Sequence, residues 1–202
     1  MDTAERIELN NKRERILQAA IHAFSSQGFY RTRITDIARA AKVADGTVYL
    51  YFESKEQLLA AIFNESMSCF MDWSRGEIFE LEGAEDQLRR LLSLHLESIG
   101  KDRELATVFQ VEMRHSVRFL RETSRAELRE YLSGLQRILD QGKEEGAFRE
   151  DLDTWFAAKC IFALVDEAAT NWVLSDKDYA LEESADSIVD FVLQGMSSTH
   201  SR

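Results

Sequence analysis

Residues 34–59 read ITDIARAAKVADGTVYLYFESKEQLL. The apolar positions here recur at helical spacing and never alternate for long. Ile37, Ala38 and Ala41 share one face of a short helix that Thr35 is placed to cap, and Val43 plugs a tight turn. Asp45 or Gly46 opens a second helix ending in Tyr49-Leu50-Tyr51-Phe52, and Ser54 with Gln57 forms a capping box for a third. Two short helices about a tight turn make a helix-turn-helix, whose second helix enters the DNA major groove.

The charge of the chain first argues against that reading. Its 202 residues carry a formal net charge of −11, with 45% hydrophobic and 30% charged residues. The charge is segregated, however. Residues 1–55 hold nine Lys and Arg against seven Asp and Glu, whereas residues 56–202 hold sixteen against twenty-nine. Arg31, Arg33, Arg39, Lys42 and Lys55 all flank the helix-turn-helix, where phosphate contacts belong. An acidic remainder confines DNA contact to one end. Cys69 and Cys160 lack metal-ligand spacing, so a reducing cytosol is the expected compartment. No apolar run approaches membrane-spanning length, and residues 1–15 are too polar for a signal peptide. We therefore expect a cytoplasmic protein with no membrane partner.

Helical periodicity pervades the rest, and the chain contains no proline. The spacing predicts nine helices. The first runs from about Asn11 to Gln27, buries Ile16, Leu17, Ala20, Ile21 and Phe24, and is stopped by Gly28. The fourth opens at Ser54 and runs towards Trp73 or Phe79, the fifth spans Ala84–Gly100, and the sixth covers about Arg103–His115. The seventh runs from roughly Val117 to Glu145, the eighth from Leu152 to Leu174, and the ninth from Leu181 to Met196. Trp155, Phe156, Ile161, Phe162, Leu164, Val165, Trp172 and Val173 leave the eighth helix little polar face. A helix apolar nearly all round needs cover on both sides. The same hairpin from a second subunit supplies it, predicting a homodimer through the last two helices.

The pattern of residues 34–59, preceded by FSSQGFYRTRIT (residues 24–35), resembles the TetR family of transcriptional regulators. The segments ADGTVYLYFESKEQLL, LATVFQVEMRHS and IFALVDEAATNWVLSDKDYAL are similar to its Bacillus-type FadR group, repressors of fatty-acid degradation genes that long-chain acyl-CoA releases from DNA. The resemblance implies an all-α fold with an N-terminal three-helix DNA-binding domain, residues 1–54, and a helical ligand-binding and dimerisation domain, residues 55–202. It implies no cofactor, double-stranded operator DNA as partner and acyl-CoA as inducer.

Site residues follow from the same resemblance. Thr35 is placed for phosphate, Arg33 for phosphate or the minor groove, Asp45, Gly46 and Thr47 for base edges, Tyr49 and Tyr51 for the backbone, and Lys55 for another phosphate. Leu50 and Tyr51 depart from the family pattern of tyrosine and histidine, which suggests that Leu50 makes an apolar contact to a thymine methyl. Asp45 is unfavourable beside phosphate, so it caps the helix or reads a cytosine amine.

An acyl tunnel would draw its walls from Phe70, Trp73, Phe109, Met113, Phe119, Phe162 and Trp172, and its phosphate cations from Arg103, Arg114 and Arg118. His95 lies on an apolar stripe as a core histidine or a ligand contact. Asp166 and Glu167 are carboxylates on an apolar helix and need partners. No phosphate loop, His-Glu metal motif or nucleophile elbow is present, so an enzyme is not expected. Two other readings stay open: the same fold sensing a drug, flavonoid or signalling lactone, and a helical acyl-CoA-binding or hydrolytic protein.

Overall fold

The structure is a computed structural model that describes residues 3–78, 80–112, 125–177 and 179–197. These residues form nine α-helices: α1 (Thr3–Gln27), α2 (Ile34–Ala40), α3 (Asp45–Tyr51), α4 (Lys55–Ile78), α5 (Ala84–Gly100), α6 (Arg103–Thr107), α7 (Arg125–Glu144), α8 (Thr154–Leu174) and α9 (Ala185–Met196). A π-helical turn, Val108–Glu112, continues α6, and a 3₁₀ turn, Leu181–Ser184, precedes α9. The sixth and ninth helices of the sequence reading are thus each broken into two hydrogen-bonding registers. His115 and Val117, which the sequence reading placed at helix ends, and Phe79 lie outside the described residues. Contacts divide the chain into two units, Met1–Ser66 with Glu104–Ser124 and Met67–Arg103 with Arg125–Arg202.

The first unit is the head. Ile16, Ala20, Phe24, Ile37, Ala38, Val48, Leu58 and Leu59 are all buried in one cluster, which Val108 joins. The predicted stripe of α1 is fully inside, and Gly28 ends that helix at φ +83°, a left-handed backbone that suits glycine. Thr32 is buried and donates its hydroxyl to the carbonyls of Ala23 (3.1 Å) and Gly28 (2.8 Å), pinning the α1–α2 loop. The π turn brings Phe109 edge-on to Phe63, with ring centres 5.6 Å apart. It also lets the Glu112 carboxylate accept from the Phe29 amide at 2.7 Å.

The second unit is the body. Its α5 begins and ends at the predicted residues because Gly83, at φ +89°, breaks the chain before it and Glu145 accepts from the Ala84 amide at 2.9 Å. Those contacts hold the exposed Glu145 carboxyl below the usual carboxylate range, the backbone bond being the main cause. Leu88, Leu92, Leu94 and Leu96 are fully buried, a wider apolar face than one stripe. Gly142 makes room for the Phe148 ring, since an added Cβ would lie 2.1 Å from it. Asp153 caps α8 by accepting from the Phe156 amide at 2.9 Å. No helix of the described residues is long and apolar enough to cross a membrane.

Candidate DNA-binding and ligand-binding sites

The helix-turn-helix is held from behind. After α2 the chain turns through Lys42 at φ +55°, with the Val43 amide donating back to the Ala38 carbonyl at 3.0 Å. The Arg15 guanidinium, on α1, donates to the carbonyls of Ala41 (2.6 Å) and Lys42 (3.1 Å). A cation at a helix C-terminus satisfies orphan carbonyls and favours the helix dipole. The angle between α2 and α3 is therefore tied to α1.

Two capping expectations are corrected. The cap of α2 is Arg33, whose extended backbone precedes Ile34, so Thr35 already lies in the first turn, exposed. The Asp36 carboxylate, at the third position of the helix, reaches back to accept from the Arg33 amide at 3.3 Å. For α3 the cap is Ala44, and Asp45 is the first helical residue with no capping bond.

On α3 the outward face consists of Asp45, Gly46, Tyr49 and Leu50, while Val48 points into the core. Tyr49 is 55% exposed and Leu50 83%, and Thr47 is half-buried beside them. Tyr51 instead packs on the head core, its ring 6.4 Å from that of Phe52. Arg31, Arg33, Arg39 and Lys42 are exposed around this face.

Lys55 does something other than offer a free charge. Its ammonium donates to the carbonyls of Phe29 (2.5 Å) and Thr32 (2.9 Å) and sits 4.5 Å from the centre of the Phe29 ring. Those bonds tie it to the α1–α2 loop, beside the helix-turn-helix.

In the body, Phe70, His95, Tyr131 and Phe162 form a ring cluster with centroid separations between 5.2 and 6.3 Å. Trp73 touches Phe70 at 6.5 Å and carries Lys101 over its face at 4.3 Å. His95 Nδ1 lies 2.8 Å from the Tyr131 hydroxyl. Burial holds the His95 imidazole down to about 4, with the nearby Asp166 charge acting weakly in the opposite sense. Burial likewise pushes the Tyr131 phenol far above its ordinary value. The pair is neutral at physiological pH.

Three ligand candidates change role. Arg103 donates to the carbonyls of Trp172 (2.9 Å) and Ser175 (2.6 Å) and stacks on the Trp172 ring at 4.8 Å. It closes the C-terminus of α8, and Trp172 is itself buried with its indole N–H on the Tyr179 carbonyl at 2.9 Å. Phe109 packs against the head core. Met113, Arg114, Arg118 and Phe119 lie outside the described residues. Among the described residues no cluster of His, Cys, Asp and Glu could hold a metal ion.

The outer face of the last two helices remains apolar. Phe156 (60% exposed), Leu164 and Phe191 (69% exposed) border an open groove of about 560 Å³ whose floor includes Ile161 and Met196.

Two family models match in succession. Residues 16–62 fit the bacterial regulatory proteins of the tetR family, and residues 63–195 fit the C-terminal region of YsiA-like proteins. The fatty acid metabolism regulator protein of Bacillus subtilis is 35% identical over 181 residues, 90% of this chain and 93% of that protein. The structure of the fatty acid degradation regulator FadR from Bacillus halodurans aligns with a TM-score of 0.87 at 38% identity, covering 91% of this chain and 95% of that one. FadR from Bacillus subtilis in complex with stearoyl-CoA aligns at 0.85 with 34% identity, covering 91% and 98%. With family models over both parts and a full-length relative of this identity, the chain belongs to the TetR family of transcriptional regulators.

Proposed function

We propose that this protein is a DNA-binding repressor of fatty-acid degradation genes that leaves its operator when it binds a long-chain acyl-CoA. The observation that carries the reading is the likeness, across nine-tenths of the chain, to a regulator that holds stearoyl-CoA. The head supports it with an exposed α3 face, Asp45, Gly46, Tyr49 and Leu50, with half-buried Thr47 beside it, inside a rim of arginines. Tyr49 and Leu50 meet base edges or the sugar-phosphate wall of the major groove, and Arg33 with Thr35 meets phosphate. Functionally the division falls at residues 1–54 for DNA and 55–202 for ligand and dimer. The protein acts as a cytoplasmic, non-enzymatic switch.

Two-fold pairing of the α8–α9 faces buries Phe156, Leu164 and Phe191 and gives the dimer that a palindromic operator requires. Acyl-CoA relieves repression only by binding the DNA-free conformation more tightly, since equal affinity for both states shifts nothing. A gel-shift titration on the protein's own promoter fragment tests this. Saturating palmitoyl- or stearoyl-CoA is expected to release the DNA, and operator binding that persists unchanged would sink the assignment.

A further inference from the structure

The His95–Tyr131 pair is out of place in its surroundings. Phe70 and Phe162 pack around it, and α5 and α7, which carry the two residues, bury mostly leucine and isoleucine. A buried polar group is usually retained where its hydrogen-bonding capacity is used. Here it is used only in part. A neutral imidazole and a phenol together carry two donors and at least two acceptors, and one donor–acceptor contact joins them. Whichever way that shared proton points, one donor is left over. It is Nε2–H when the phenol donates to Nδ1, and the phenol O–H when Nδ1 donates to the phenol. Among the described residues Tyr131 is the one hydrogen-bond partner of His95.

The Tyr131 end of the pair also borders open space. Tyr131 forms part of the wall of a pocket of about 100 Å³, with Met71, Leu91 and Ile138 as apolar neighbours. Arg75, Arg137 and Gln141 line the same pocket, Arg75 being ion-paired with Glu130 and Asp72. His95 and Phe162 pack against Tyr131 and are only half-buried. An uncharged pair with one spare donor suits an uncharged acceptor. Asp166, close enough to act on His95, disfavours a second carboxylate there.

Resting on the acyl-CoA reading above, we propose that the Tyr131–His95 pair is the element that hydrogen-bonds the thioester carbonyl oxygen of the ligand, and so distinguishes an acyl from an alkyl chain. One neutral hydrogen bond in a dry pocket is worth roughly a factor of ten in affinity.

The test compares palmitoyl-CoA with S-hexadecyl-CoA, its thioether counterpart without the carbonyl, by calorimetry on the full-length protein. The wild type is expected to prefer the thioester about tenfold, and Tyr131→Phe to remove that preference while still binding the thioether. Infrared spectra of palmitoyl-CoA labelled with ¹³C at the carbonyl provide a readout that folding defects do not mimic. The carbonyl stretch is expected to shift to lower frequency on binding the wild type and to lose that shift in the variant. Equal wild-type affinity for the two compounds, or an unshifted carbonyl, overturns the carbonyl assignment and leaves the repressor reading intact. Binding of neither compound overturns both.

Discussion

Around Phe24 the head buries Ile16, Ile37, Ala38, Val48 and Leu58, and the buried Thr32 hydroxyl is held between two carbonyls. Around Phe70 the body places His95 and Tyr131, whose hydrogen-bonding capacity is only partly used. The cations follow the same division of labour. Arg15 and Lys55 lock the helix-turn-helix to α1 and its loop, so the head is a rigid tool for presenting α3. The body keeps polar capacity in its interior, which is where a sensor must keep it. The head spends its cations on its own carbonyls, although Asn64 Oδ1 stays buried without a partner there, and the body leaves a neutral donor beside its rings.

The largest expected effect breaks the head alone. Phe24→Ala removes a fully buried ring from the centre of the cluster and should cost about 3–5 kcal/mol of stability. Hydrogen exchange should show α1–α3 losing protection while α5 and α7 keep theirs, and operator binding should disappear. Uniform loss of protection would show that the two cores are one cooperative unit.

The next effect belongs to the body and is read through pH. His95 titrates near 4 in the folded protein and near 6.5 when unfolded, so the unfolded chain takes up the proton first as pH falls. Stability should therefore be flat above about 6.5 and decline towards pH 4, by about 3 kcal/mol in total for this group. Urea unfolding at pH 4.5 and 7.5 should show a smaller difference in His95→Leu than in the wild type. Glu145, whose carboxyl is held low, also loses stabilisation in acid, and the comparison with the variant cancels that contribution. An identical pH dependence in both proteins would mean that His95 is solvated.

Lys55→Met tests the positioning role in the head. Losing the charged bonds to Phe29 and Thr32 should cost roughly 2 kcal/mol and weaken operator binding through the loop. The slope of affinity against salt should stay unchanged, because no phosphate contact is lost. A slope reduced by about one, with stability intact, would return Lys55 to the phosphate backbone.

The sequence made the head legible and the body much less so, and sequence distance explains why. The stripe Ile16, Ala20, Phe24 and the α2–turn–α3 pattern are local, and so are the glycines that stop α1 and precede α5. The bonds that assign roles span the chain. Arg15 reaches a carbonyl 26 residues on, Glu112 an amide 83 residues back, and Arg103 the end of α8 some 69 residues away. No spacing rule tells an arginine that closes a helix from one that binds phosphate. Lys55 and Arg103 fit a phosphate by residue type, and only the fold shows the carbonyls they hold. His95 and Tyr131 are 36 residues apart, and the only local sign of their pairing is a histidine on an apolar stripe.

The smallest effect is expected at Leu50, and it bears most directly on how the head reads DNA. At 83% exposure its side chain gains almost nothing from the fold, so Leu50→Ala should leave stability within about 0.5 kcal/mol. If the side chain packs against a thymine methyl in the groove, operator affinity should still fall by about 1 kcal/mol. The loss should be confined to operators carrying that thymine, because an apolar contact distinguishes a methylated pyrimidine from cytosine. Tyr49→Ala, one position earlier on the same face, should weaken all sequences alike if it touches the backbone. A uniform loss for Leu50→Ala, or none, would move base reading to Gly46 and Thr47 at the start of α3 and leave Leu50 as an exposed residue without a partner.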